Sequence, residues 1–427
     1  MIVREKYLNQ LLAFKDKDLI KVITGVRRCG KSTLLDMMRE HLKASGIPEE
    51  RLLSFKMESM EYDGLDYRGL YNLVREKTAN IEHPYLFFDE LQEIEGWERA
   101  INSLRVDIDC DIYITGSNAY LLSSELSTLL SGRYVEIETL PLVFSEYLDF
   151  QGAQPTTRAV SGVDLLELAD GSLTTVEGML EQYRRFGGFP FLALESPDIE
   201  THRAYCKSLY DTVIVRDILE RDRRRNRRRL SSPDLLRRLC TFLADNIGSE
   251  NSVNSIAKTL RLENIKAAND TIDAYINALC ESYPFYPVKR FDIKGKEILK
   301  TGGKHYIADC GMRNYLQGYR NSDQGRVFEN MVFQQLSYDG FEVSIGKLRN
   351  GEVDFVATRG HTKAYVQVTE NMADSTTMER ELRPLRAIRD AHPKAVIVMS
   401  GSYPVEVDGI RIISATDYLL HRREIAQ

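Results

Sequence analysis

The sequence predicts an α/β protein with two α/β units, and three observations point there. First, apolar runs at residues 19–24, 52–55, 85–88, 112–115 and 134–137 alternate with helix-favouring segments such as 32–43 and 97–105. Strands of a parallel, doubly wound sheet have helices over both faces, so they read as continuous apolar runs. Second, a glycine-containing turn links the first run directly to an amphipathic helix. Third, residues 325–427 follow another order: a helix at 326–336, strands at 341–347, 352–358 and 364–369, a helix at 375–391, then strands at 395–399 and 410–414.

The elements divide the chain into four expected segments. Residues 1–150 carry the parallel sheet. Residues 151–230 form a connector and helical lid; they begin polar and rich in small residues, and the helical part breaks at Gly187-Gly188-Phe189-Pro190. Residues 231–322 read as a winged helix. Leu235, Leu239, Phe242, Leu243 and Ile247 mark one helix, Val253, Ile256, Ala257 and Leu260 a second, and Ile272, Tyr275, Ile276 and Leu279 a third; a hairpin wing follows around Lys294-Gly295-Lys296. Residues 323–427 are the second α/β unit.

Composition narrows the function classes. At 427 residues the chain exceeds one ordinary core. Its 43% hydrophobic and 28% charged residues are ordinary globular values. A net charge of −6 excludes a chain-wide polyelectrolyte binder, so any nucleic-acid contact needs a local basic patch. The six cysteines are scattered without a C-x-x-C pair, which argues against a zinc ribbon and for reduced thiols in the cytoplasm. The charged N-terminus lacks the apolar stretch of a signal peptide, and no run reaches the length of a membrane span.

The turn after the first strand reads GVRRCGKS and matches G-x-x-x-x-G-K-[ST]. Glycines let backbone amides wrap phosphates, and the following helix N-terminus faces the anion. The expected nucleotide-binding set is Gly25, Val26, Arg27, Arg28, Cys29, Gly30, Lys31, Ser32 and Thr33. Lys31 would reach the β/γ-phosphates, and Ser32 would bind Mg²⁺ of an ATP complex. The strand YLFFDE ends in Asp89, an expected Mg²⁺ partner, and Glu90, placed to orient or deprotonate the attacking water. The strand DIYITGSN ends in Thr115, Ser117 and Asn118, which either reach the γ-phosphate and water or form a capped turn.

The succession GVRRCGKSTLL, FFDELQEIEGWERAINSLR, YITGSNAYLLS, LLSGRYVEIETLPLVFSEYL and FGGFP resembles a family of prokaryotic AAA-type (AAA+) P-loop ATPases. Its members join the ATPase to a C-terminal domain of the PD-(D/E)XK, restriction-endonuclease-like fold. The resemblance implies that Asp89 and Glu90 are the Walker B pair and that Ser117 and Asn118 hold the sensor-1 position. It makes Arg133 either an arginine that contacts the γ-phosphate, in cis or from a neighbouring copy in a homo-oligomer, or a structural ion-pair partner. It also implies a nuclease site in which Asp354 is the strand acid and Glu329 the accessory acid of the preceding helix. The expected (D/E)-x-K triplet instead reads Gln367-Val368-Thr369. Glutamine is a neutral ligand and threonine carries no ammonium, so the site is read as degenerate and nuclease activity as lost.

The run RDRRRNRRR, from Arg221 to Arg229, is either a solvated face or a contact to the phosphate backbone of a nucleic acid. The third helix of the winged-helix segment carries Lys266 beside Asp270 and Asp273, which favours packing over DNA reading. The leading functional expectation is an ATP-binding, ATP-hydrolysing conformational switch. The alternatives are an ATP-dependent DNA-processing nuclease and a regulator that binds nucleotide without turnover.

Overall fold

A computed structural model describes residues 2–116, 132–156, 164–195, 197–211, 218–219, 230–295, 297–320 and 323–426. The chain forms two compact units, Met1–Pro141 with Glu281–Tyr283, and Leu142–Cys280 with Pro284–Gln427.

In the first unit five strands pair in parallel: β1 (Ile20–Thr24), β2 (Leu52–Lys56), β3 (Tyr85–Asp89), β4 (Asp111–Thr115) and β5 (Tyr134–Glu138). They coincide with the five apolar runs. Their order is β2-β3-β4-β1-β5, so the strand fourth in sequence lies between the first and the third. Helices α1 (Glu5–Ala13), α2 (Lys31–Ala44), α3 (Tyr67–Thr78) and α4 (Trp97–Asp107) accompany the sheet. Leu70 and Val74 of α3 and Trp97, Ile101 and Leu104 of α4 bury against Ile20, Val22, Phe55, Phe88, Ile112 and Ile114. Stacked ring pairs Phe55–Phe88 and Phe87–Tyr113, each 5.0 Å between centroids, lock neighbouring strands together. All five strands run the same way, so their carboxyl ends share one edge of the sheet.

The second unit is built on an eight-stranded mixed sheet of order β10-β9-β11-β12-β13-β14-β16-β15. Its strands are β9 (Phe285–Asp292), β10 (Glu297–Ile307), β11 (Glu342–Leu348), β12 (Gly351–Arg359), β13 (Thr362–Asn371), β14 (Lys394–Ser400), β15 (Glu406–Val407) and β16 (Ile410–Ser414). The period-two alternation of β12 and β13 makes two cores. Phe355 and Val366 face one side with Phe328, Val332 and Phe333 of the helix Gln324–Tyr338. Val356 and Tyr365 face the other, with Leu382 and Leu385 of the helix Ser375–Arg386. That helix stops at Arg386 rather than at residue 391 as its pattern suggests; Pro384 lies in its last turn and removes a backbone donor.

The three helices expected at 233–281 form at Pro233–Asp245, Val253–Leu262 and Asn269–Glu281. The hairpin after them also forms, but it is not a free wing. Its strand β9 pairs in parallel with β11 through Ile345↔Arg290, Gly346↔Phe291 and Lys347↔Asp292, so the hairpin is the edge of the C-terminal sheet. Phe285, Val288, Tyr306 and Ile307 give it a buried face, and a buried face does not state its own neighbour. The connector likewise folds locally, as a small antiparallel sheet of β6 (Gln154–Pro155), β7 (Leu165–Glu167) and β8 (Leu173–Thr175).

The helix break at Gly187-Gly188 has a definite cause. Asp309, 1% exposed, accepts bonds from the Gly188 amide at 2.6 Å and from the Met312 amide at 2.8 Å. It thereby caps the helix Cys310–Gln317 and holds the turn together. Gly187 sits at φ +79°, and a Cβ there would stand 2.3 Å from Asp309 Oδ1. Burial pushes the Asp309 carboxyl up to about 6, against the backbone amides that favour its charged form.

Candidate nucleotide site and a carboxylate cluster

The turn after β1 brings residues 25–32 to the carboxyl edge of the first sheet. Gly25, at φ +133°, passes so close to the backbone after β5 that a Cβ would fall 2.1 Å from Thr139 O. Gly30 takes the left-handed conformation at the start of α2. Arg28, at φ +64°, holds a left-handed conformation that costs a residue with a Cβ about 1–3 kcal/mol. The loop is pinned from behind: buried Arg4 donates to Cys29 O at 3.0 Å and lies 4.5 Å over the Tyr7 ring.

Lys31 is 4% exposed, and its ammonium donates to Gly25 O and Val26 O at 3.1 Å each. Both partners are neutral carbonyls, so a phosphate would compete for this cation on favourable terms. Ser32 and Thr33 are exposed at the loop exit, whereas Val26 and Cys29 are buried. Ser32 Oγ donates to Asp89 Oδ1 at 2.9 Å. Thr115, at the tip of β4, donates to the same oxygen at 2.6 Å and accepts from the Glu90 amide at 3.0 Å. The strand order puts β4 between the other two tips, which is why Thr115 can bridge them. Glu90 stands at φ +53°, and its carboxylate accepts from Gln92.

Glu58, just past β2, is an acid that sequence reading passed over. It pairs with Arg27 at 3.0 Å. Burial, then the charge of Glu90, raises its carboxyl; Arg27 opposes the shift, while Asp89 and Glu93 add to it. The acid in MES after β2 was a sequence signal only to a reader who knew that β2 ends beside β3.

Arg133 lies elsewhere. It precedes β5, is exposed, and donates to Asn102 of α4 at 3.0 Å; its carbonyl accepts from Ile20, the first residue of β1. That is the amino edge of the sheet, while the phosphate loop sits at the carboxyl edge, about 16 Å away along five strand residues. The structure therefore does not bring Arg133 to its own chain's phosphate loop. Ser117, Asn118 and the run from Arg221 to Arg229 lie outside the described residues.

In the second unit Glu329 and Asp354 do approach one another, together with residues not foreseen. Lys304 of β10 lies 3.3 Å from Glu329 Oε1 and 2.8 Å from Glu352 Oε1. Burial disfavours its ammonium, yet Glu329, Asp354 and Glu352 keep its pKa above the ordinary lysine value. Burial, then the charge on Glu329, raises the Asp354 carboxyl well above the usual range, with Lys304 opposing. Tyr306 donates to Glu329, and Asp354 Oδ2 accepts from the Val368 amide at 2.9 Å. Gln367 turns its amide to Glu381 at 3.1 Å and accepts from the Asp354 amide at 3.4 Å; Thr369 donates to Asn371 O. Lys363 stacks over the Phe291 and Tyr365 rings. Among the described residues no three His, Cys, Asp or Glu side chains are grouped to hold a metal ion. No described helix is long and apolar enough to cross a membrane.

Residues 17–148 match the AAA domain family, and residues 177–323 match a domain of unknown function, DUF8612. An uncharacterized protein of Haemophilus influenzae is 37% identical over 424 residues, covering 98% of this chain and 99% of that protein. The uncharacterized protein MJ1544 of Methanocaldococcus jannaschii is 32% identical over 381 residues, covering 87% and 79%. The structure of a Walker-type ATPase of Pyrococcus abyssi superposes at TM-score 0.47 with 13% identity, over 74% of this chain and 96% of that one.

Proposed function

We propose that this chain, which belongs to one family with the Haemophilus influenzae protein and MJ1544 and opens with an AAA domain, is an ATPase whose turnover drives a conformational switch. The observation that carries the proposal is one oxygen: Asp89 Oδ1, which receives both Ser32 from the phosphate loop and Thr115 from β4. Three sequence segments converge there beside a buried lysine whose partners are only carbonyls.

The amides of residues 26–31 and the start of α2 would line the triphosphate, and Lys31 would exchange its two carbonyls for phosphate oxygens. Arg27 and Arg28 lie within the same loop. The hard oxygens of Ser32 and Asp89 fit Mg²⁺, which when bound neutralises phosphate charge. Glu90, its amide tethered by Thr115, is the group placed to orient or deprotonate water once it leaves Gln92. Asn118, three residues beyond Thr115 in the sequence, is assigned to the γ-phosphate.

Arg133, on the far edge of the sheet, serves either α4 through Asn102 or a second copy of the chain. The remaining assignments stand as part of the proposal: a connector and helical lid over 151–230, a three-helix packing segment over 233–281 whose hairpin joins the C-terminal sheet, a restriction-endonuclease-like C-terminal domain without cleavage activity, and a cytoplasmic setting that keeps the thiols reduced. Lys31→Ala tests the centre of the reading. The variant should lose ATP affinity in calorimetry and phosphate release in a steady-state assay, and unchanged turnover would sink it.

A further inference from the structure

The carboxylate cluster of the second unit has the residue types of a divalent-cation site without the arrangement of one. Glu329 and Glu352 both direct an oxygen at Lys304 Nζ, at 3.3 and 2.8 Å, and Tyr306 spends its hydroxyl on the Glu329 oxygen that faces the lysine. Asp354 is engaged by the Val368 amide. Gln367, where an acid would complete a metal site, is turned to Glu381, which Arg380 also holds at 2.8 Å. The lysine itself is 7% exposed and comes from β10, so the hairpin that extends the sheet also delivers the cation.

We propose that Lys304 is the built-in cation of this cluster, filling the charge role of a divalent ion so that the domain keeps its acids folded together without taking Mg²⁺ or Mn²⁺. An ammonium suits that task. It offers donors to several carboxylates and demands no octahedral shell. It is no Lewis acid, so it neither polarises a phosphoryl oxygen nor makes a bound water acidic. The inference does not depend on the ATPase reading, because every residue it uses lies in the second unit.

Mn²⁺ titration of the nucleotide-free full chain, followed by electron paramagnetic resonance, tests it. The wild-type isotherm should be unchanged by Glu329→Gln. Lys304→Met should gain about one Mn²⁺ per chain at sub-millimolar to millimolar metal, and adding Glu329→Gln should remove that ion. A folded Lys304→Met, by circular dichroism, that gains no ion overturns the proposal. So does a wild-type Mn²⁺ that Glu329→Gln or Asp354→Asn abolishes, and that comparison decides the matter even where Lys304→Met does not fold.

Discussion

Two lysines stand beside acids in this molecule, and their surroundings differ. Lys31 rests on two main-chain carbonyls, while the acids near it, Asp89 and Glu90, bond neutral donors. Lys304 is bonded to two carboxylates and lies in the field of a third. The first arrangement is exchangeable: an arriving polyanion improves on every partner the lysine has. The second is closed, because no incoming group improves on two carboxylates already in place. On the two proposals above, the same side chain is a ligand-binding group in one unit and a structural counter-ion in the other, and the deciding variable is whether its present partners carry charge.

The sharpest way to break this contrast is to remove each lysine. Lys31→Ala should lower phosphate release by at least about 10²-fold and cost about 1–2 kcal/mol of stability, because the buried carbonyls of Gly25 and Val26 lose their donor. Lys304→Ala should keep turnover within about twofold and cost about 3–5 kcal/mol in denaturant unfolding, because it leaves buried acids without their counter-charge. If the two effects were exchanged, the contrast would be false.

Glu90→Gln divides binding from chemistry within the open site. Nucleotide affinity should persist while phosphate release falls by about 10²–10⁴-fold. Equal loss of both would instead make Glu90 a structural tie to Gln92.

The second unit should show the pH signature of a buried acid. The Asp309 value of about 6 in the folded chain exceeds its ordinary 3.8, so the folded form holds the proton more tightly. Its contribution is complete below about pH 4 and is lost as pH rises through about 6, a swing of about 3 kcal/mol. Urea unfolding between pH 4 and 7 should show this decline in the wild type and not in Asp309→Asn.

The smallest effect is expected at Arg133. Arg133→Ala should leave ATP affinity within about twofold, consistent with a side chain at the far edge of the sheet. A loss of turnover that grows with protein concentration in the wild-type comparison would assign the arginine to a neighbouring copy.

The sequence was enough to place all five strands of the first sheet and the glycine turn after β1, but not the extent of the second unit, which begins at Leu142 rather than at residue 323. Those signals are local: apolar runs of strand length, helical spacing, and glycines where backbone must approach an anion. The positions of Ser32 and Asp89 were legible for the same reason, since each sits at a helix start or strand end that the pattern marks, while the Mg²⁺ role given to them belongs to the proposal. Tertiary structure alone decided the rest. Glu58 joins the acids because β2 pairs with β3, and Arg133 is far from the loop because parallel strands put their two ends on opposite edges. The wing-like hairpin became a sheet edge, and Lys304, 25 residues before Glu329 in sequence, became its partner. Pairing and strand order are non-local choices, made by which buried faces meet, and no short stretch of chain carries that information.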